Sequence, residues 1–347
     1  MKMGSETAAN AGMNRNGRPL LEVAGLCKYF PVKGGFFEKA RGVVRAVDGV
    51  TFGVFRGMTF GLVGESGCGK TTTGRLIVRV LEPTAGDIHF DDRERGRVNL
   101  TALSGRRLRP LRRKIQMVFQ DPYASLDPRM TVLRIVGEPL AACGSASGKA
   151  YRDRVAQALE WVGLKPEFMN RYPHAFSGGQ RQRIGIARAL VTDPDLVVAD
   201  EPVSALDVSF QAQILNLFQD LKERFRLTYV FVAHDLSVIR HICDQVAVMY
   251  MGKLVETADR NGIFSRPGHP YTEMLISIIP RPDTRWRPDR SFLQGSAADL
   301  PEVPSGCAFH PRCRYSQPEC RSSVPELREI SPGHRAACHF DLPLHGL

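Results

Sequence analysis

The chain has 347 residues, of which 43% are hydrophobic, 24% are charged and 8% are aromatic. This composition is typical of a folded globular protein, and the length suffices for one large domain or two ordinary ones. The formal net charge of +11 favours a phosphate-bearing partner such as nucleotide, nucleic acid or anionic lipid. No stretch approaches about 18 consecutive apolar residues, so no transmembrane helix is predicted. The first residues lack the apolar core of a secretory signal, so no such signal is predicted either.

In chain order, residues 1–18 are rich in Gly, Ala, Asn and Ser and are predicted to form a disordered tail. Apolar runs then predict buried strands at Phe60–Val63, Ile115–Phe119, Leu196–Ala199, Tyr229–Ala233 and Val246–Met249. Helical periodicity lies between them, at Ile77, Val80 and Leu81, at Val155, Leu159 and Val162, and at Ile214, Leu217, Phe218 and Leu221. Strands that alternate with helices predict an α/β fold with a mostly parallel sheet.

The first of these strands leads directly into a glycine-rich loop of the pattern G-x-x-x-x-G-K-[ST], which a helical pattern follows. The candidate phosphate-binding residues are Gly64, Glu65, Ser66, Gly67, Cys68, Gly69, Lys70, Thr71 and Thr72. The glycines allow backbone N–H groups to face phosphate oxygens, and the N-terminus of the helix adds the positive end of its dipole. We expect Lys70 to reach the β- and γ-phosphates and Thr71 to ligate Mg²⁺.

The run Leu196–Ala199 is followed by two consecutive carboxylates, Asp200 and Glu201. In a chain with a phosphate loop, this pattern is typical of a Walker B site, whose first carboxylate holds Mg²⁺ directly or through water. We expect Asp200 to hold the ion. Glu201 is then expected to orient and polarise the water that attacks the γ-phosphate.

Four of the eight cysteines, Cys307, Cys313, Cys320 and Cys338, are concentrated in a proline-rich segment near the C-terminus. Because secretion is not expected, these cysteines are predicted to be metal ligands before they are disulfides. Their spacing lacks the paired C-x2-C of typical structural zinc sites, although zinc stays open, and four thiolates also suit an iron–sulfur cluster. Chemistry alone leaves cluster, zinc and unliganded thiols as alternatives.

A third motif indicates the family. Residues 176–180 read F-S-G-G-Q and precede a helical pattern, with Asp200 following 23 residues after Ser177. This segment resembles the signature sequence of ATP-binding-cassette (ABC) proteins, with Phe where Leu is usual. The other family motifs follow in order: the adenine-stacking aromatic residue Tyr29 or its neighbour Phe30, the Q-loop residue Gln120, the D-loop residues Ser204–Asp207 and the switch residue His234.

The resemblance implies the fold of an ABC ATPase nucleotide-binding domain, with a RecA-like parallel-sheet core, an antiparallel β subdomain and a helical subdomain. It also implies a dimer in which one subunit caps the γ-phosphate that the other holds; the residues concerned are Ser177, Gly178, Gly179, Gln180 and Asp207. The implied catalytic residues are Glu201, His234 and Gln120. The implied Mg²⁺ ligands are Thr71, Gln120 and Asp200.

Three phrases narrow the match: F-Q-D-P-Y-A-S-L-D-P-R from Phe119, R-Y-P-H from Arg171 and G-H-P-Y-T from Gly268. From Leu20 onward, the chain resembles the ATPases of bacterial dipeptide and oligopeptide importers. That resemblance implies a nucleotide-binding domain at 19–265, with its helical subdomain at about 122–180, and a small Cys-rich extension at 266–347. It further implies a [4Fe–4S] cluster on Cys307, Cys313, Cys320 and Cys338, with zinc as the alternative.

Membership of this branch implies that ATP hydrolysis powers peptide uptake. It also implies that the chain is a peripheral protein on the cytoplasmic face of the inner membrane. The implied partners are a second, related ABC ATPase, two integral permease subunits and an extracytoplasmic substrate-binding protein, with no nucleic acid. The permease and binding protein select the solute in such importers. A nickel chelate or glutathione is therefore an open alternative to peptide.

The rival class of function is an ABC ATPase that acts on nucleic acid or ribosomes, which the net charge and a basic stretch at 106–114 would suit. A solvated helix face explains that stretch better, because no aromatic stacking platform accompanies it. Rival proteins generally carry two cassettes, coiled coils or zinc insertions within the cassette. One cassette with its cysteines at the end favours the importer.

Overall fold

The computed structural model of the chain describes residues 17–32, 42–279 and 303–342. Most of the predicted disordered tail, 1–18, lies outside the described residues. The strands are β1 (Leu21–Val32), β2 (Gly42–Val54), β3 (Thr59–Val63), β4 (Ala85–Asp92), β5 (Gly96–Asn99), β6 (Ile115–Val118), β7 (Leu196–Asp200), β8 (Thr228–Ala233), β9 (Gln245–Tyr250), β10 (Lys253–Asp259), β11 (Arg328–Ser331) and β12 (His334–Ala336). The helices are α1 (Lys70–Ile77), α2 (Gly105–Arg112), α3 (Val132–Cys143), α4 (Gly148–Trp161), α5 (Gly178–Leu190), α6 (Val208–Phe225), α7 (Leu236–Ile242), α8 (Arg260–Ser265), α9 (Pro270–Ser277) and α10 (Pro318–Ser322).

The five predicted apolar runs form one parallel array in the order β6-β7-β8-β3-β9. Their residues are aliphatic almost throughout and buried on both faces, as parallel strands covered by helices require. The strand predictions and the α/β class are therefore confirmed. The carboxyl ends of β3, β7 and β8 meet at one edge of the sheet, so the loops that follow these strands are brought together.

A second, four-stranded antiparallel sheet has the order β2-β1-β4-β5. It packs against the parallel array; Phe52 of β2 stacks on Phe60 of β3 with ring centroids 4.6 Å apart. This sheet matches the antiparallel subdomain that the ABC resemblance implies. It places β2 directly beside the glycine-rich loop.

Helical expectations hold for α4 and α6, whose apolar stripes are buried. Phe218 of α6 meets Tyr229 and Phe231 of β8 edge to face. The periodicity that was expected to continue α1 through Val80 and Leu81 is wrong, because α1 ends at Ile77. Arg79 turns the chain with a φ of 56°, which leaves Val80 61% exposed. No helix within the described ranges is both long and apolar enough to cross a bilayer.

The C-terminal segment, defined here as residues 303–342, packs on the rest of the chain. Its hairpin β11–β12 pairs with β10 and continues the main sheet in antiparallel fashion. Phe309, 2% exposed, contacts the rings of Tyr250 and Tyr271 at 5.4 Å. The segment thus shares its core with the strand–helix layers that carry the glycine-rich loop.

Candidate active site

The glycine-rich loop joins β3 to α1 and lies where only glycine fits at two positions. At Gly64, a Cβ atom would come within 2.2 Å of the Met249 carbonyl oxygen. At Gly69, φ is +109° and a Cβ atom would meet the Ala46 carbonyl oxygen at 2.1 Å. Because glycine has no Cβ atom, the loop can lie this close to β2 and β9.

Lys70, the first residue of α1, is 4% exposed and turns back into the loop. Its Nζ donates to the carbonyl oxygens of Gly64, at 2.7 Å, and Glu65, at 2.8 Å. A buried ammonium ion enclosed by a glycine-rich loop at a helix N-terminus is an arrangement suited to binding phosphate.

Thr71 and Asp200 are 129 positions apart in sequence and are brought into direct contact. The Thr71 Oγ1 donates to Asp200 Oδ1 at 2.9 Å. Asp200 is only 1% exposed, and burial raises the pKa of its carboxyl group. A hydroxyl and a buried carboxylate are oxygen ligands that Mg²⁺ prefers, and a cation here would offset the cost of burying the charge.

Glu201 connects the other two residues that were expected to be catalytic. Its Oε2 accepts a hydrogen bond from Gln120 Nε2 at 2.9 Å and lies 2.9 Å from His234 Nδ1. The hydrogen bond with His234 lowers the pKa of Glu201, and the same contact raises the pKa of His234. The lowered pKa favours the charged form of Glu201, which is adjacent in sequence to the candidate Mg²⁺ ligand Asp200.

The backbone at Glu201 is unusual, because its φ of +45° lies in the left-handed region that L-residues rarely adopt. Its N–H donates to the Val232 carbonyl oxygen of β8 at 2.9 Å, which holds this conformation. Strained backbone of this kind is concentrated at functional sites. The turn directs the carboxylate toward the loops that follow β6 and β8.

Ser177 begins α5 with a capping box: the Gln180 N–H donates to Ser177 Oγ, and the Ser177 N–H donates to Gln180 Oε1. Gly178 packs beside Tyr123 and Leu206, so the signature residues meet the D-loop rather than the phosphate loop of their own chain. Asp207 is the N-cap residue of α6.

Tyr29 is positioned close to the phosphate loop by the antiparallel sheet. It pairs with Arg45 in the register of β1 and β2, and the next residue, Ala46, contacts Gly69. The Tyr29 hydroxyl donates to Asp48 at 2.6 Å. The ring of Tyr29 is therefore held by a strand that pairs with the strand lying beside the loop.

The four tail cysteines, Cys307, Cys313, Cys320 and Cys338, line one cavity of about 120 Å³ together with His269, Phe309 and Phe340. All four are free, and burial raises the pKa of three of them, that of Cys313 to about 12. Among the described residues, no three His, Cys, Asp or Glu side chains are grouped as ligands of a single metal ion. The four cysteines therefore share one cavity.

Two residues that contact the phosphate loop were not found from the sequence. The Glu65 N–H donates to the Tyr271 hydroxyl at 2.7 Å. The Glu65 carboxylate forms a two-point ion pair with Arg312, at 2.7 and 2.8 Å. These partners lie 206 and 247 positions away along the chain, and no local pattern marks them.

Comparison with known proteins gives two family matches along this chain. A family model described as ABC transporter matches residues 47–204, and one described as the C-terminal region of oligopeptide/dipeptide transporters matches residues 255–320.

Curated relatives match nearly full length. The chain is 47% identical to the oligopeptide transport ATP-binding protein AppF of Bacillus subtilis, over 93% of this chain and 98% of that protein. It is 50% identical to the dipeptide transport ATP-binding protein DppF of Haemophilus influenzae, over 85% of this chain and 88% of that protein.

Solved structures agree on the fold. A dimeric ATP-binding cassette, MJ0796, in a post-hydrolysis state with ADP and Pi, matches with a TM-score of 0.60 and 29% identity. The match covers 69% of this chain and 98% of that chain. The cbiO1 protein of Clostridium perfringens matches with a TM-score of 0.59 and 26% identity, over 72% of this chain and 91% of that one.

Proposed function

Because the chain belongs to the ABC transporter family, we infer that it is the ATP-hydrolysing subunit that powers peptide uptake through a membrane importer. The observation that carries this inference is the presence of both family matches in one chain. The first covers the phosphate loop and the Asp200–Glu201 pair, and the second is described as the C-terminal region of oligopeptide/dipeptide transporters. Peptide is thus favoured over a nickel chelate or glutathione as the solute.

We assign ATP to the phosphate loop, residues 64–72, with the adenine against Tyr29. Lys70 already faces carbonyl oxygens at 2.7 and 2.8 Å, so phosphate oxygens would replace weaker acceptors with charged ones. Thr71 and Asp200 would hold Mg²⁺, with Gln120 completing the oxygen set. The ion would neutralise charge on the phosphates.

Glu201 is the residue we assign to the attacking water. It is the better choice of the two adjacent carboxylates because its pKa is lowered, whereas that of Asp200 is raised by burial. His234 and Gln120 both contact Oε2 of Glu201, and these two contacts orient the carboxylate before ATP binds. His234 would then contact the γ-phosphate.

The signature residues, 177–180, and Asp207 would act on nucleotide held by a second subunit. Their position beside Leu206, away from their own phosphate loop, supports this assignment. We propose that the second subunit is a related, different ABC ATPase. The N-terminus of α5 would supply its positive dipole end to the γ-phosphate across the interface.

The remaining partners follow from the importer function. We propose that the chain is peripheral on the cytoplasmic face of the inner membrane, below two integral permease subunits that receive solute from an extracytoplasmic binding protein. Within the chain, we place the nucleotide-binding domain at 19–265, with α3 and α4 in a helical subdomain at about 122–180. The extension spans 266–347.

We further propose that Cys307, Cys313, Cys320 and Cys338 hold a [4Fe–4S] cluster, which would fasten the C-terminal segment. The support for this proposal is that all four cysteines line one cavity. Zinc is the alternative occupant, because four thiolates suit either group. In a four-iron cluster, each thiolate binds its own iron.

The cluster proposal is tested by the iron and sulfide content of protein purified without oxygen. We expect brown protein with about four irons and four sulfides per chain. Cys320→Ser should lose most of the iron, whereas Cys143→Ser, which changes a cysteine outside the cavity, should retain it. Colourless protein with stoichiometric zinc, or with no metal, would contradict the proposal.

The importer function is tested by affinity purification of the tagged chain from membranes of its own host. We expect two integral permease subunits and a second ABC ATPase to copurify, and uptake of labelled peptide to stop when the tagged chain carries Glu201→Gln. Ribosomes or DNA in place of permeases would refute the transport function. Loss of nickel or glutathione uptake with peptide uptake intact would reassign the solute.

A further inference from the structure

The phosphate loop is held from outside the strand–loop–helix unit that forms it. Both guanidinium Nη atoms of Arg312 contact the Glu65 carboxylate, at 2.7 and 2.8 Å. The Arg312 side chain is 6% exposed and that of Glu65 is 23% exposed, so this pair is shielded from solvent. Two-point ion pairs of this kind are the strongest and the most directional.

Arg312 is itself fixed by its surroundings. Its guanidinium lies 5.7 Å from the ring centre of Phe309 and 5.9 Å from that of Tyr250. The Tyr271 hydroxyl accepts the Glu65 backbone N–H at 2.7 Å. The C-terminal third of the chain therefore holds both the main chain and the side chain of the second loop residue.

Glu65 also contacts Lys70 directly, because the Lys70 Nζ donates to the Glu65 carbonyl oxygen at 2.8 Å. An unpaired carboxylate at this position would add negative charge beside the triphosphate. It would also be a charged acceptor for Lys70 that competes with the phosphates. Pairing with Arg312 removes both effects, since the carboxylate is neutralised and turned toward the C-terminal segment.

We propose that Arg312 is a positioning residue of the ATP site, which neutralises Glu65 and so keeps Lys70 available for the phosphates of the nucleotide. The proposal rests on the assignment of ATP to the phosphate loop. It makes the C-terminal segment a support of the nucleotide site, through the contact of Arg312 with Glu65.

The test is equilibrium binding of ATP–Mg²⁺ to the full chain, measured for a cycle of variants. Arg312→Met keeps most of the side-chain volume and removes the charge, and we expect it to raise the Kd for ATP about tenfold. Glu65→Gln is the reference background of the cycle, because it removes the carboxylate that would compete for Lys70, whatever its own Kd. The double variant R312M/E65Q should then bind like E65Q alone, because no carboxylate remains to compete for Lys70.

A merely structural role for Arg312 gives a different pattern, in which the loss of affinity persists in the double variant and follows the loss of thermal stability. That pattern, or an unchanged Kd in Arg312→Met, overturns the proposal. Arg97→Met is the matched control: it breaks an ion pair with Glu22 of 2.7 Å in the antiparallel sheet and should leave Kd unchanged.

Two further outcomes are separated by the same set of proteins. If Arg312→Met does not fold, Arg312→Lys, which keeps the charge but loses the two-point contact, takes its place with a smaller increase in Kd and the same rescue by Glu65→Gln. Persistence of the Arg312→Lys loss in the double variant overturns the proposal. If the wild-type chain does not bind ATP, the proposed function is wrong. If the wild-type chain binds ATP and the variants do not follow the expected pattern, only the role of Arg312 is wrong.

Discussion

Replacement of Glu201 by Gln isolates the charge of the carboxylate that we assign to the attacking water. Gln has the same size and meets the same backbone demand at a φ of +45°, so little change in folding stability is expected. The Gln120 contact of 2.9 Å can persist, because the Gln carbonyl oxygen still accepts it. What is lost is negative charge where the water becomes nucleophilic. Removing one such preorganised group costs about 3 kcal/mol, or at least a hundredfold in turnover.

The assay is release of inorganic phosphate by the assembled transporter, together with ATP binding to the isolated chain. We expect turnover to fall to near background while the Kd for ATP stays within about twofold, because the carboxylate makes no ground-state contact with phosphate. Glu22→Gln, a carboxylate change at the Arg97 ion pair of the antiparallel sheet, should leave turnover unaltered. Near-wild-type turnover in Glu201→Gln would refute the assignment.

An independent reading of the same variant comes from His234. The hydrogen bond with Glu201 raises the pKa of His234 above its ordinary value of 6.5. Without the carboxylate charge, the pKa of His234 should fall toward that value, measured by NMR titration of the ring protons. If the pKa of His234 did not move, the contact between Glu201 and His234 would be wrong, whatever the turnover.

Three further experiments test the site. Lys70→Ala should weaken ATP binding by at least about tenfold in calorimetric titration, and unchanged affinity would refute the phosphate role. In urea unfolding without nucleotide, Gly67→Ala should cost about 1–2 kcal/mol for its left-handed backbone alone, while Gly69→Ala should cost more because its Cβ meets a carbonyl oxygen at 2.1 Å; equal costs would contradict the packing. Ser177→Ala should lower the free energy of unfolding by about 1 kcal/mol, because the capping box is lost, and Ser177→Thr should stay close to wild type. An unchanged free energy of unfolding in Ser177→Ala would contradict the capping box.

The parts of the site that the sequence predicted are those with a local chemical cause. The loop before α1 needs glycine for its backbone and lysine for phosphate. The Asp200–Glu201 pair follows a run of buried aliphatic residues. Each motif can therefore be recognised from a few consecutive residues. The family resemblance named Gln120 and His234 as catalytic residues, but it did not predict their contacts with Glu201. Residues alone did not require these side chains to meet.

Other features had no local signal. The strand β11 is mostly exposed, so it lacks the alternation of apolar and polar residues that marks a half-buried strand. The ion pair of Arg312 with Glu65 joins positions 247 residues apart, and each residue by itself reads as a solvated charge. The end of α1 at Ile77 depended on the left-handed turn at Arg79, which apolar spacing does not record. Tertiary packing decided all three.

The hairpin β11–β12 covers one edge of the main sheet. Strand β10 is largely buried, at Leu254, Val255 and Glu256, and β12 covers its outer hydrogen-bonding edge. Beyond it, β11 presents exposed residues that include Arg328 and Glu329, and a charged edge discourages further strand addition. A chain truncated before residue 303 would leave β10 bare as an apolar edge, a ready template for self-association. Shortened cassettes of this protein should therefore precipitate on expression, where the full chain remains dispersed.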